Sequence, residues 1–159
     1  MKILVLWFGR PSVTLFEEQV ATYAKRVGRR WRASDQALRP VMGRDGDARR
    51  ALAAEAEAVR ERVPKGWRMV VLDERGEAHD SSSFARLLDD AEQAGVTGLA
   101  FVVGSDLGLH DELQAAAWRR LSLSPMTLPH QLARLLLWEQ LFRATDILTG
   151  GRYHRLRVQ

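Results

Sequence analysis

Few side chains in this 159-residue sequence are suited to chemistry, and their spacing narrows what that chemistry is. Cysteine is absent, which excludes disulfide frameworks, thiol catalysis and thiolate metal sites. The four histidines, His79, His110, His130 and His154, show no His-x-x-x-His or Glu-x-x-His spacing that would set two ligands on one helix face. No dedicated metal site is expected, and any cofactor should be organic. Gly104 and Gly108 bracket a loop where bare backbone can approach a ligand, although G-x-x-x-G also describes a plain turn. The run Leu123-Ser124-Pro125-Met126-Thr127-Leu128-Pro129-His130 is a non-acidic loop restricted by two prolines. It offers backbone groups and an apolar wall to a nucleoside, or serves as an ordinary strand-to-helix connection. Glu139 and Arg143, four apart with the acid first, suit a surface ion pair of about 0.3–0.5 kcal/mol. The last eight residues hold Arg152, His154, Arg155 and Arg157, a basic end able to follow a polyanion such as RNA or to remain a solvated positive tail.

These residues need elements to position them. Ile3 to Phe8, Met69 to Leu72 and Leu99 to Val103 are continuous apolar runs of the kind found in strands covered on both faces. Helical spacing runs from Val13 to about Arg26, stopped by Gly28, and from Ala48 to Val63, an exposed helix closed by Pro64 and Gly66. Residues 32–38 suggest an edge strand and Asp73 to Gly76 a turn. Asp80 or a following serine caps a helix through Leu88 and Ala91. A short helix near Asp111, a strand near Arg120 to Leu123 and a long helix from Pro129 to about Leu148 complete the series. Alternating strands and helices specify an α/β domain with a largely parallel sheet in three layers, spanning residues 1–159. Such sheets bind ligands at the carboxyl ends of their strands, which singles out the loops after Leu72, Val103 and Leu123. On a helical wheel Ala133, Leu137, Leu141, Ala144 and Leu148 share an arc, while Leu135, Leu136, Phe142 and Ile147 occupy other faces. A helix apolar on two sides predicts a homodimer.

Composition excludes disorder and fibrous repeats: apolar residues make up 46% and charged residues 28%. The amino-terminal apolar run is too short for a secretory core and lacks a small-residue cleavage site. Leu128 to Phe142, broken by His130, Arg134 and Glu139, falls short of the roughly 20 residues a membrane span needs. A cytoplasmic protein is expected. The net charge is +4, and only Lys2, Lys25 and Lys65 of the 24 basic residues are lysine. That arginine excess suits phosphate forks, and equally a biased genome. Charge is unevenly spread: +7 over residues 1–68, −8 over 69–118 and +5 over 119–159.

The run from Leu121 to His130, the apolar helix carrying Glu139 and Arg143, and the ending Tyr153-His154-Arg155 together resemble the RlmH family, SPOUT-class ribosomal RNA large subunit methyltransferases. The similarity extends over nearly the whole chain, including the Leu72-Asp73 strand end and the glycine loop after Val103. It implies a SPOUT-type α/β domain with a carboxyl-terminal trefoil knot. It also implies S-adenosyl-L-methionine bent among the knot loops against Leu72, Gly104, Leu123, Ser124, Pro125, Met126, Thr127 and Leu128. The family's homodimer methylates N3 of a pseudouridine in 23S ribosomal RNA on the assembled 70S ribosome. Arg143, Tyr153, His154 and Arg155 are the corresponding candidates for RNA contact. His154 is also the candidate catalytic base, with an unperturbed pKa of about 6.5; alternatively Tyr153 stacks on a base while His154 and Arg155 grip phosphate. One departure stands out: the family's loop usually has two adjacent glycines, where this chain has Gly104-Ser105, which bears on cofactor affinity. A ribosome-associated RNA-binding protein of the same fold without methyl transfer is the alternative function. A flavodoxin-like regulatory domain is a more distant one.

Overall fold

Two strands with no exposed side chain beyond their first residues form the centre of the structure: β1 (Lys2–Phe8) and β4 (Gly98–Val103). The computed structural model describes residues 1–10, 16–41 and 47–154; the expected helix start at Val13, the Gly43 to Gly46 loop and Arg155 onward lie outside them. With β2 (Arg32–Leu38), β3 (Arg68–Ala78) and β5 (Arg119–Ser122) they make a five-stranded sheet of order β2-β1-β4-β3-β5, in which every pairing is parallel. Continuous apolar runs fall in the middle because both faces there are covered. β2 alternates between exposed and half-buried positions and lies at an edge, as its mixed composition suggests.

The two-residue period of β1 sorts the helices into layers. Ile3, Val5 and Trp7 face α1 (Glu17–Val27), α3 (Ser81–Gln93) and α5 (His130–Leu148). Leu4, Leu6 and Phe8 face α2 (Ala48–Arg62) and α4 (Asp111–Ala116). α2 is therefore not the exposed helix its Ala, Glu and Arg content predicts: Ala51, Glu55, Ala56 and Val59 are buried along one face. Asp80 caps α3 as its position suggests, accepting from the Ser83 N–H at 2.6 Å, and Asp47 caps α2, accepting from the Arg50 N–H at 3.0 Å.

The expected turn at Asp73 to Gly76 needs correction, because β3 continues through it. Leu72 and Glu77 both pair with Leu121, so the intervening residues bulge while the strand resumes on β5. The turn chemistry is present, with Asp73 Oδ1 accepting from the Arg75 N–H at 2.9 Å, but it acts inside a strand. Gly76 is required there, since a Cβ would stand 2.7 Å from the Arg120 carbonyl group.

α5 is anchored by a buried charge. Arg134, 1% exposed, donates to Asp35 of β2 at 2.6 and 3.1 Å and to Glu17 of α1 at 2.7 and 3.2 Å. Its guanidinium lies 3.7 Å from the centre of the Trp7 ring. The indole N–H groups of Trp7 and Trp138 also donate to Asp35, at 2.8 and 2.7 Å.

A second ionic contact gives a pH prediction. Glu92 of α3 accepts from the Met1 ammonium at 3.2 Å, the Trp31 indole at 3.0 Å and Arg30 at 2.8 Å. Burial pushes its carboxyl upward, yet these donors outweigh it and hold the group below its ordinary value of 4.5. A depressed carboxylate stabilises the fold above its ordinary pKa and loses that contribution as pH falls through the lower native value. Glu92→Gln should therefore lower the melting temperature at neutral pH, with the gap to the parent closing below about pH 4.5. Melting curves over a pH series check this; an equal gap at every pH would refute it.

Candidate functional site

The bulge of β3 and the carboxyl ends of β4 and β5 open onto a single cleft of about 720 Å3, inside the roughly 300–1,000 Å3 range of small-molecule sites. The β3 bulge supplies Asp73, Glu74 and Arg75, and the loop after β4 supplies Gly104 to Leu109. The segment after β5 and the start of α5 close the third side, with Leu123, Ser124, Met126, Thr127, Leu128, Pro129, His130 and Ala133. Of the eight residues expected to surround a cofactor, Leu72, Gly104, Leu123, Ser124, Met126, Thr127 and Leu128 line this cleft, and Pro125 does not.

The walls are tied to one another by polar contacts. Thr127 donates its hydroxyl to Glu74, joining the loop after β5 to the β3 bulge. Arg120 reaches Asp73 Oδ2 at 2.6 Å. Burial of Asp73 acts to raise its carboxyl, but the Arg75 N–H and the Arg120 guanidinium hold it below the usual aspartate value. His130 Nδ1 lies 2.8 Å from Asp106 Oδ1, linking the helix start to the glycine loop. Gly104 leaves no room for a side chain, since a Cβ would meet the Gly108 carbonyl oxygen at 2.8 Å. Gly108 itself has φ +84°, which closes the loop at no steric cost only for glycine. Two large apolar side chains on the rim are exposed, Leu107 at 45% and Met126 at 74%.

The remaining predicted residues lie away from this cleft. Tyr153 packs on Phe142 with ring centres 4.8 Å apart, and its hydroxyl donates to Glu139 Oε1 at 3.0 Å. Arg143 pairs with the same carboxylate at 3.0 Å through Nε and covers the Tyr153 ring at 4.6 Å. The expected Glu139–Arg143 pair thus forms, though in a half-buried cluster rather than on the open surface. Burial raises the Tyr153 phenol well above its usual range, helped by Tyr23 and Glu139, so it stays protonated. The His154 backbone N–H donates to Asp146 Oδ2 at 3.0 Å, while its buried Nδ1 has no hydrogen-bond partner among the described residues. Arg155 lies outside the described residues.

A family model described as predicted SPOUT methyltransferase matches residues 1–154. The chain belongs to this SPOUT methyltransferase family. Within it, the chain is 38% identical over 162 residues to the ribosomal RNA large subunit methyltransferase H of Geotalea daltonii, covering 97% of this chain and 99% of that one. It is 40% identical over 156 residues to the protein of the same name from Neisseria meningitidis serogroup C, covering 98% and 99%. A putative methyltransferase from Legionella pneumophila, solved with bound cofactor SAM, shares 13% identity at a TM-score of 0.47 over 89% of this chain and 65% of that chain. At that distance the likeness carries no functional inference.

For this SPOUT chain, the loop after Leu72 was singled out by the sequence but not its bulged form at Asp73 to Arg75, and the sequence reading missed the Asp106–His130 link and Glu55, which reaches the glycine loop from α2. Turn composition at Asp73 and the loop position of Asp106 were the available signals for the first two. Glu55 carries no signal, because Glu in an Ala-rich helix normally faces water. No helix among the described residues is long and apolar enough to cross a membrane, and no group of three or more His, Cys, Asp or Glu among them could hold a metal ion.

Proposed function

We propose that this chain methylates N3 of a pseudouridine in 23S ribosomal RNA on assembled 70S ribosomes, using S-adenosyl-L-methionine, in the cytoplasm and as a homodimer. The observation that carries this reading is the cleft at the β3 bulge and the ends of β4 and β5 in a SPOUT methyltransferase whose relatives, matched over nearly their full length, are named for ribosomal RNA methylation. The residues present fit the cofactor. Asp73, Glu74, Asp106 and Asp111 set negative charge around a cleft that would receive a cationic sulfonium and an amino group. Leu72, Leu123 and Leu128 offer apolar walls, and the tight Gly104 loop offers backbone groups. Pro125 stiffens the segment bearing Ser124, Met126, Thr127 and Leu128. The same reading takes the carboxyl-terminal part as the family's trefoil knot and the chain as one domain across residues 1–159.

When bound, the cofactor supplies a methyl already activated by its sulfonium. The protein's task is then alignment, and well-oriented partners gain up to about 7–11 kcal/mol over free encounter. Arg143, Tyr153, His154 and Arg155 would meet the RNA. Because the first three lie away from their own cleft, the partner subunit's cleft is the one they would serve. α5 supports the pairing: none of its residues is fully exposed, and Leu135, Phe142 and Ile147 are only half-buried in one protomer. His154 would take the N3 proton.

Labelled methyl from S-adenosyl-L-methionine should enter 70S ribosomes that lack the modification only when the target pseudouridine is present. No incorporation on either ribosome overturns the reading. His154→Ala should reduce turnover on saturating ribosomes about 100-fold or more, the usual scale of a lost general base. Full turnover with normal RNA binding would remove His154 from catalysis.

A further inference from the structure

Ser105 lies in the glycine loop that lines the cleft, and the structure supplies the use of its hydroxyl. Glu55 lies on the buried face of α2 and is 3% exposed. Its Oε2 accepts from the Ser105 hydroxyl at 2.8 Å, and its Oε1 accepts from the Val41 N–H at 3.1 Å. A carboxylate taken out of water is costly unless its oxygens are satisfied, so these two donors set where the head group can sit. Ser105 is in turn the centre of the glycine loop. Its Oγ accepts from the Leu107 N–H at 3.2 Å, and its carbonyl oxygen accepts from the Gly108 N–H at 2.9 Å. A hydroxyl donating to a carboxylate is polarised into a better acceptor, so the Glu55 contact strengthens the Leu107 contact beyond it.

We propose that Glu55 and Ser105 are a positioning pair that fastens the Gly104 to Gly108 loop to α2 and holds this wall of the cleft in its ligand-ready shape. Neither side chain acts on the reacting atoms. Glu55 does not line the cleft, and it reaches the cleft only through Ser105. The serine hydroxyl thus gives the loop a fixed tie to α2, which preorders it for a ligand. The proposal rests on the reading that this cleft takes S-adenosyl-L-methionine.

The test uses the full chain and three variants, Ser105→Ala, Ser105→Thr and Glu55→Gln, with two readouts. Amide hydrogen exchange in the cofactor-free protein should show faster exchange at Leu107 and Gly108 in Ser105→Ala, with β1 and β4 amides unchanged. Calorimetric titration with S-adenosyl-L-methionine should show binding about tenfold weaker in Ser105→Ala and Glu55→Gln, the scale expected when a hydrogen bond to a charged group is lost. Ser105→Thr, which keeps the hydroxyl, should bind within about twofold of the parent, well inside that scale. At saturating cofactor, kcat should stay near the parent value while KM rises. If the parent binds and Ser105→Ala binds equally well, the positioning role is overturned. Faster loop exchange without weaker binding also overturns it, because the tie would then be structural only. A parent that fails to bind S-adenosyl-L-methionine instead refutes the functional reading, and the exchange result identifies that case separately.

Discussion

Arg134→Ala is expected to lower the unfolding free energy by about 3–5 kcal/mol, the cost usually seen when one member of a buried charge pair is removed. Arg134 is 1% exposed and bridges Asp35 and Glu17. Its loss leaves Asp35 with the two indole donors alone among the described residues, and it removes the stacked guanidinium from the Trp7 ring. Glu17, whose side chain is 35% exposed, can rehydrate, so the larger share of the cost falls on Asp35, at 17%. Adding Asp35→Asn to the variant should recover part of the loss, because the uncompensated charge disappears while one of the two indole N–H groups, which bond different oxygens of Asp35, keeps an acceptor. Urea unfolding followed by tryptophan fluorescence measures both. A loss below about 1 kcal/mol in the single variant would show that the network contributes no more than a surface pair.

Gly104→Ala should cripple cofactor binding while leaving the fold intact. The added Cβ would stand 2.8 Å from the Gly108 carbonyl oxygen and 2.9 Å from its carbonyl carbon, and backbone on a closed loop has nowhere cheap to go. Overpacking of this kind costs about 1–3 kcal/mol. If the loop opens to relieve it, the whole cost appears as weaker binding, about 5- to 150-fold at 1.4 kcal/mol per decade. The sheet should be spared, because Gly104 follows β4 rather than lying within it. Calorimetric titration with S-adenosyl-L-methionine and a melting curve separate these effects. Unchanged affinity would mean that the Gly104 loop is not part of the cofactor site.

The architecture was legible wherever one physical signal dominated. Ile3 to Phe8 and Leu99 to Val103 have no polar side chain to interrupt them, so burial on both faces was the only reading. Asp80 precedes the apolar spacing of α3 and caps it. The convergence of three loops followed from the general rule that parallel sheets open at their carboxyl ends. Where chemistry permits two environments, composition could not choose. Asp73 to Gly76 has the same residues as a chain-reversing turn, and only pairing of Glu77 with Leu121 reveals a bulge. Arg134 reads as an interruption of an apolar helix, yet Asp35 and Glu17, distant in sequence, draw it inside. Glu55 is hidden for the same reason. The Glu139–Arg143 spacing predicted a pair, but its enclosure by Tyr153 depends on how the chain folds back over α5.

The order of the sheet also governs how the molecule can be made. β1, the first strand, is completed only when β4 arrives from the second half of the chain, and every strand pairing closes a long loop rather than a hairpin. Such topologies fold slowly, because loop-closure entropy is spent before the distant contact is gained. Asp35 adds a further delay, since its arginine and one of its two tryptophan donors are synthesised about a hundred residues later, at Arg134 and Trp138. A nascent chain that has emerged only through β4 therefore has the Asp35 carboxylate without its cation. One face of its sheet lacks the cover of α5 until that helix is released, and apolar surface left open in this way favours aggregation of a growing chain.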